Sequence, residues 1–343
     1  MAVTIRSLDE ASAPAWDAFV RAHPHGTFFH RAAWADVIEA AFGHRTHYIY
    51  AELDGSIVGV LPLARVKTML FGDTLISVPF CVYGGPLAAD AAVAETLCLH
   101  AAGLLAKTGA SAVEFRHREA VEGDWLERPD LYVTFRKPID ADHDKNMKAI
   151  PRKQRAMVRK GIQNDLTSVA NRDTDLLHGI YAESVRNLGT PVFSRRYFAI
   201  LEQAFGADFD VVTILDGDSA IASVMNFYHG QEVLPYYGGG TAAARQRAAN
   251  DFMYWEVMRR AADRGCRLFD FGRSKIGTGS HDFKKNWGFV PEPLHYRYKL
   301  APGASIPDHN PMNPKYRLFI AGWKKLPLPV ANTIGPHIVR GLG

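Results

Sequence analysis

The chain reads as a mixed α/β protein in which one order of strands and helix occurs twice. Strand-like apolar runs alternate with helical stretches, which argues for sheets covered by helices. In the first half, Tyr48 to Leu53 reads as a strand, Asp54-Gly55 as a hairpin turn and Ile57 to Val66 as the return strand. A further strand ending in Tyr83-Gly84-Gly85, a helix from Ala89 to Lys107 and a strand from Ala112 to Phe115, closing on Arg116, come next. The second half repeats the order. Val211 to Leu215, the turn Asp216-Gly217 and Ala220 to Tyr228 precede Val233 to Tyr237, which runs into Gly238-Gly239-Gly240. A helix from Asp251 to Arg264 and a strand from Phe269 to Phe271, near Arg273, complete it. The offsets are 162, 154 and 156 residues at the turn, the Tyr-Gly-Gly and the closing Phe. Three landmarks in order at nearly constant offset indicate a duplication.

The polar segment Asp140 to Lys148 has linker character, so the expected domains are 1–143 and 144–301, followed by a proline-rich wrap, 302–343, with one helical piece around Lys315 to Lys325. A length of 343 residues suits two domains, and 47% apolar with 22% charged residues is ordinary for a globular protein. A formal charge of +4 does not by itself imply nucleic-acid binding. Cys81, Cys98 and Cys266 are few, widely spaced and without metal-ligand spacing, so structural zinc and a disulfide framework are not expected. The first residues, Met1 to Glu10, show no basic and apolar leader pattern, and no run reaches the roughly 20 apolar residues of a membrane helix. The expectation is a cytoplasmic protein, with the aromatic and cationic tail either packed on the body or lying on the inner face of the membrane.

The most informative stretch is Leu268 to Leu300. A short apolar strand breaks at Gly272 into a polar loop with glycines at 272, 277 and 279 and the cations Arg273, Lys275, Lys284 and Lys285, before an alternating strand Leu294 to Leu300. Glycines let backbone approach a ligand closely, and cations suit an anionic one. Asp270 and Arg273 bracket the strand end, as an ion pair or as groups overlooking a cleft. Tyr236 and Tyr237 alternate, one toward a cleft and one toward the core, and Asn226 on the preceding strand could orient an amide. His281 is either a general base or a bystander. A second constellation is Lys145 to Lys160, with seven cations and no acid. On a helix Lys148, Arg152, Arg155 and Arg159 share one face, with Pro151 in the first turn. That face is either solvated surface or a seat for a phosphate-bearing ligand.

The motifs D-F-G-R-S-K, F-K-K-N-W-G-F and L-x-Y-x-Y resemble the second-domain signature of FemAB-like N-acyltransferases, most of all the group associated with PEP-CTERM and exosortase export. The resemblance implies tandem duplicated GNAT-like acyl-CoA N-acyltransferase domains with the active site on the second. It implies Lys284 in the active-site channel, stabilising charge on a leaving oxygen or tetrahedral oxyanion, with Phe283 packing it. The expected catalytic set is Lys284, Tyr237 and Asp270; Arg152, Arg155, Arg159, Asn226, Tyr236, Arg273, Lys275 and Phe283 are expected to bind substrate, and no metal is expected. One departure is the lack of the Q/R-x-x-G-x-G/A pyrophosphate loop. A dinucleotide fold is disfavoured because no G-x-G-x-x-G joins a strand to a helix. The implied reaction moves an acyl or aminoacyl group onto an amine of a cell-envelope or exopolysaccharide precursor, small or lipid-linked. Acyl-CoA or aminoacyl-tRNA would be co-substrate, with no tightly bound cofactor. The alternatives are an aminoacyl-tRNA-dependent peptidoglycan-bridge transferase, disfavoured because 165–206 shows no sustained heptads, and a non-catalytic ligand-binding module that kept the fold.

Overall fold

The structure is a computed structural model that describes residues 3–68, 72–121, 123–128, 131–306 and 314–343. The chain forms two compact units, 1–131 with 293–310 and 340–343, and 132–292 with 311–339.

In the first unit the turn Asp54-Gly55 joins strands Ile49–Leu53 and Ser56–Leu61, both turn residues having positive φ (52° and 78°) as a tight hairpin requires. The expected return strand to Val66 is interrupted at Pro62, which has no N–H for a ladder. Leu63–Thr68 therefore starts a new strand in a different sheet. Four strands, Thr4–Ser7, Ile49–Leu53, Ser56–Leu61 and Leu87–Ala88, form one sheet; Leu63–Thr68, Gly72–Ser77, Ala112–His117, His295–Leu300 and Leu126–Arg128 form the other. Helix Ala91–Thr108 starts at the Asp90 cap and buries Val93, Leu97, Ala101 and Leu104, one stripe at helical spacing. Tyr83-Gly84-Gly85 lies beyond the end of its strand at Ser77.

The second unit keeps the hairpin, strand, helix and strand in one continuous sheet. Its order is Thr167–Asn171, Phe209–Asp216, Ser219–His229, Glu232–Gly240, Leu268–Asp270, Tyr132–Pro138 and Ser274–Lys275, with an eighth strand, Pro291–Pro293, also paired to Tyr132–Pro138. Helices Ala249–Asp263 and Arg152–Gln163 cover one face, where Phe252, Met253, Val257 and Val158 join Val212, Ile214, Val224 and Val233 in the core. On the other face Tyr181 of Thr174–Leu188 and Phe198 of Arg195–Phe205 pack on Tyr237. Each unit thus has an antiparallel hairpin and a parallel strand pair, Gly72–Ser77 with Ala112–His117 and Glu232–Gly240 with Leu268–Asp270. The architecture is mixed α/β, with the duplicated order of elements expected from the landmarks.

Several boundaries differ from expectation. The first unit ends at 131, because Tyr132–Pro138 pairs with Leu268–Asp270 in the second sheet. The strand His295–Leu300 pairs with Ala112–His117 and belongs to the first unit, not to the second as its place in the chain suggested. The strand expected to end at Tyr237 continues through Gly238 to Gly240. A Cβ at these glycines would come within 2.7 Å of Val224 Cγ2, 2.3 Å of Ser184 Cβ and 2.6 Å of Ala244 Cβ, so close packing demands them. The expected loop after Gly272 contains the short strand Ser274–Lys275 and helix Gly279–Asn286, capped by Thr278 and carrying Lys284 and Lys285 at its C-terminal end, where cations suit the dipole. The tail forms two helices, Pro314–Trp323 and Leu328–Val339, rather than one helical piece in an extended wrap.

The basic helix is held close to its neighbour by Gly161, whose added Cβ would lie 2.6 Å from Phe252 Cβ. Gly161→Leu is expected to destabilise the second unit by about 1–3 kcal/mol through overpacking, read from the denaturant midpoint.

Candidate active site

The strand Leu268–Asp270 ends on a carboxylate that is fully buried. Asp270 Oδ1 accepts from the Gly272 N–H at 2.7 Å, and Oδ2 faces Arg136 Nε at 3.3 Å. Arg136 stands on the adjacent antiparallel strand, directly opposite Asp270, and also donates to Glu232. Gly272 turns the chain with φ at 65°, a left-handed value that favours glycine. The turn presents the carbonyls of Gly272 and Arg273, and Lys284 Nζ donates to both at 3.0 Å. The ammonium lies 5.6 Å from the Phe135 ring centre.

Burial lowers the Lys284 pKa from the usual 10.5 to about 7; the nearby Asp270 opposes this and Arg273 adds to it. An ammonium has three donors, of which two are directed to these carbonyls, leaving one for a ligand. Asp270, Gly272, Arg273 and Lys284 therefore form one constellation at a strand end, able to donate a hydrogen bond or take up a proton near neutral pH.

The remaining sequence candidates fall in separate places. Phe283 packs against Tyr254, Phe271 and Trp287. Arg273 lies over the Tyr132 ring at 4.5 Å, and Lys275 is half-buried on its short strand. His281 packs edge-on to Phe135 and has Nδ1 3.1 Å from Asp282. Asn226 is fully buried and donates to Asp210 at 2.8 Å, while its Oδ1 has no partner among the described residues.

Tyr236 and Tyr237 do not alternate across the sheet. A bulge between the Met225 and Asn226 positions inserts Tyr236, and both rings contact Phe227. Tyr237 is buried, its hydroxyl 2.7 Å from that of Tyr197. The same strand, Glu232–Gly240, pairs with Leu268–Asp270 over two residues only, Glu232↔Leu268 and Val233↔Phe269. Beyond Val233 the two strands part. Such a separation inside a sheet offers main-chain donors and acceptors to an extended ligand.

On the basic helix Arg152, Arg155 and Arg159 line an open groove of about 480 Å³ with Ala156 and Gln163. No side-chain hydrogen bond or ion pair engages these three arginines among the described residues. Lys148 is not part of this face, because Ile150-Pro151 separates helix His143–Ala149 from Arg152–Gln163 and a residue before proline avoids the helical region. The sequence reading missed the groups that hold these pieces. Asp251 accepts from Trp287 Nε1 at 3.0 Å and from Gln154, and Arg136 sits between Asp270 and Glu232. The only sequence signal for Asp251 was an acid in the first turn of a helix, where a dipole role suffices.

The order of hairpin, parallel strand pair and helix shared by the two units gives a tandem GNAT-like fold, and the second unit adds the parted strands, the bulge and the helix-borne lysine. Residues 145–285 match the family described as the acetyltransferase (GNAT) domain, a class that transfers acyl groups. Among solved structures the chain is similar to FemX (TM-score 0.65, 16% identity, 85% of this chain and 96% of that one). It is similar also to a tandem GNAT protein from the clavulanic acid biosynthesis pathway (TM-score 0.54, 13% identity, 89% and 100% covered). A third is L-PGS from Bacillus licheniformis (TM-score 0.53, 11% identity, 97% and 98% covered). The search of curated proteins found no match. At these identities the likeness is one of fold.

The buried lysine has a cost that pH exposes. Between pH 7 and 10.5 the unfolded chain holds the Lys284 proton and the folded chain does not, so stability rises with pH across that window. Lys284→Met removes the dependence. Its denaturation midpoint is expected to exceed that of the unsubstituted protein most at pH 6, with the difference shrinking toward pH 10.

Proposed function

We propose that the chain is an N-acyltransferase that moves an acyl or aminoacyl group onto an amine of a cell-envelope or exopolysaccharide precursor. The observation that carries this reading is Lys284, held by two carbonyls at the end of a buried strand, with its pKa brought to about 7 and one donor left over. The match of residues 145–285 to the acetyltransferase (GNAT) domain supports the reaction class.

In this reading the donor arrives as a co-substrate, acyl-CoA or aminoacyl-tRNA, and no resident cofactor takes part. Its phosphates sit on the groove of Arg152, Arg155 and Arg159, through charge-assisted hydrogen bonds. Its extended portion runs along the free edge of Glu232–Gly240, where Tyr236 contributes contacts, while Asn226, fully buried on the neighbouring strand, supports that strand through Asp210. The amine attacks the acyl carbon, the tetrahedral oxygen gains negative charge, and the remaining Lys284 N–H donates to it. Collapse expels the thiolate or alkoxide of the donor, which takes a proton from Lys284, and the proton lost by the former amine nitrogen restores the lysine. Asp270 acts through Gly272 and the lysine field rather than on substrate. Arg273 and Lys275 flank the anion, Phe283 fixes the lysine helix, and Tyr237 is bonded to Tyr197 beside the splayed strand. The three arginines rise about 10 Å along the helix, from 1.5 Å per residue. That spread suits a donor with several phosphates and keeps aminoacyl-tRNA beside acyl-CoA as a reading.

Lys284→Ala is expected to lower kcat by about 10²–10³ with little change in KM, whereas Lys285→Ala, on the exposed side of the helix, leaves both near their original values. Equal losses in the two variants would return Lys284 to a structural role. Arg152→Glu with Arg155→Glu is expected to weaken donor binding in calorimetric titration, with thermal stability nearly unchanged because both changes are at the surface. Unchanged affinity would remove the groove from the site.

A further inference from the structure

We propose that helices Pro314–Trp323 and Leu328–Val339 form a face that docks the second unit on an anionic lipid surface. Three independent features converge there. The first is charge. Between Asp308 and Val339 the chain has no acid and four cations, Lys315, Arg317, Lys324 and Lys325. Ordinary exposed helices mix signs, and a one-sign segment attracts a negatively charged surface.

The second feature is exposed apolar area in the same elements. Leu318 is 85% exposed, and Phe319, Val330 and Ile334 are also exposed. Leu188 adds to this patch at 69% exposure, at the end of helix Thr174–Leu188. It is next to Gly189, which packs against Ile320 and the Lys324 stem. Clusters of exposed apolar side chains beside cations mark an interfacial helix.

The third feature is anchoring. Trp323 is buried with its Nε1 donating to the Thr190 carbonyl at 3.2 Å, and Arg186 donates to the Leu326 carbonyl at 3.2 Å. Ala331, Gly335 and Val339 face the body at spacings of four, with Gly335 against Val192. The helices are therefore fixed on their inner side, and Val330 and Ile334 lie on the outer side. No helix among the described residues is long and apolar enough to cross a membrane. The chemistry is that of a face lying on a bilayer, with leucine, phenylalanine, valine and isoleucine in the acyl boundary and lysines at the headgroups.

The test is co-sedimentation of the full chain with phosphatidylcholine vesicles and with mixed phosphatidylcholine–phosphatidylglycerol vesicles. Binding is expected on the anionic vesicles only, weakening as salt is raised. Lys324→Gln with Lys325→Gln is expected to lower the affinity on the order of 20-fold, from about fivefold per cation. Leu318→Glu is expected to lower it by about tenfold or more while the fold is kept, because the side chain is already in solvent. Arg152→Glu with Arg159→Glu is expected to leave vesicle binding unchanged, and transfer to a water-soluble acceptor is expected to be unchanged in the Leu318 variant. Equal binding to neutral vesicles, no binding to either kind, or loss of binding in the arginine variant alone would each overturn the proposal. So would concentration-dependent dimerisation that Leu318→Glu abolishes without vesicle binding, which would assign the face to a second copy of the chain.

Discussion

A single buried carboxylate, Asp251, joins the three elements from which the candidate site is made. It stands in the first turn of helix Ala249–Asp263 and receives the Gln154 amide from the basic helix and the Trp287 indole from the end of the lysine helix. Burial raises its pKa, against the two hydrogen bonds that lower it. A buried charge without donors would be costly, so these two donors are a condition of the packing. Trp287 then packs edge-on to Phe271 and tilted against Phe283, which carries the chain on to Lys284. Position of the lysine and position of the arginines are thereby set from one oxygen atom.

The lysine itself shows the usual opposition between stability and chemistry. Two carbonyls and the Phe135 face hold it where its charge is poorly solvated, and Asp270 offsets only part of the loss. A solvated lysine would stabilise the fold better and would be fully protonated at neutral pH. The same holds for the parting of Glu232–Gly240 from Leu268–Asp270, which gives up ladder bonds that a closed sheet would have made.

Much of the architecture was legible because local chemistry decided it. The hairpins at Asp54-Gly55 and Asp216-Gly217 and the helix before each closing strand depend on turn residues and periodicity, which one sequence displays. The strand Leu294 to Leu300 was legible as a strand but not as a partner of Ala112–His117, since pairing across nearly the whole chain has no local signature. Helix Gly279–Asn286 was hidden by Gly277, Gly279 and its polar residues, although Thr278 is a good cap. Alternation misread Tyr236 because a bulge inserts one residue without leaving a composition mark. The arginine face was readable from spacing alone, but Pro151 should have excluded Lys148 from it.

The first unit is assembled from three stretches of chain, 1–131, 293–310 and 340–343, with the entire second-unit sheet encoded between the first two. Its five-stranded sheet has His295–Leu300 in an inner position, between Ala112–His117 and Leu126–Arg128. On a ribosome, residues 1–131 therefore emerge with the edge of Ala112–His117 open and must wait through the synthesis of about 160 further residues, at roughly 5–20 residues per second. For roughly ten to thirty seconds on that rate, the unit that emerges first lacks one of its own strands, and an unpaired strand edge is exposed to wrong partners.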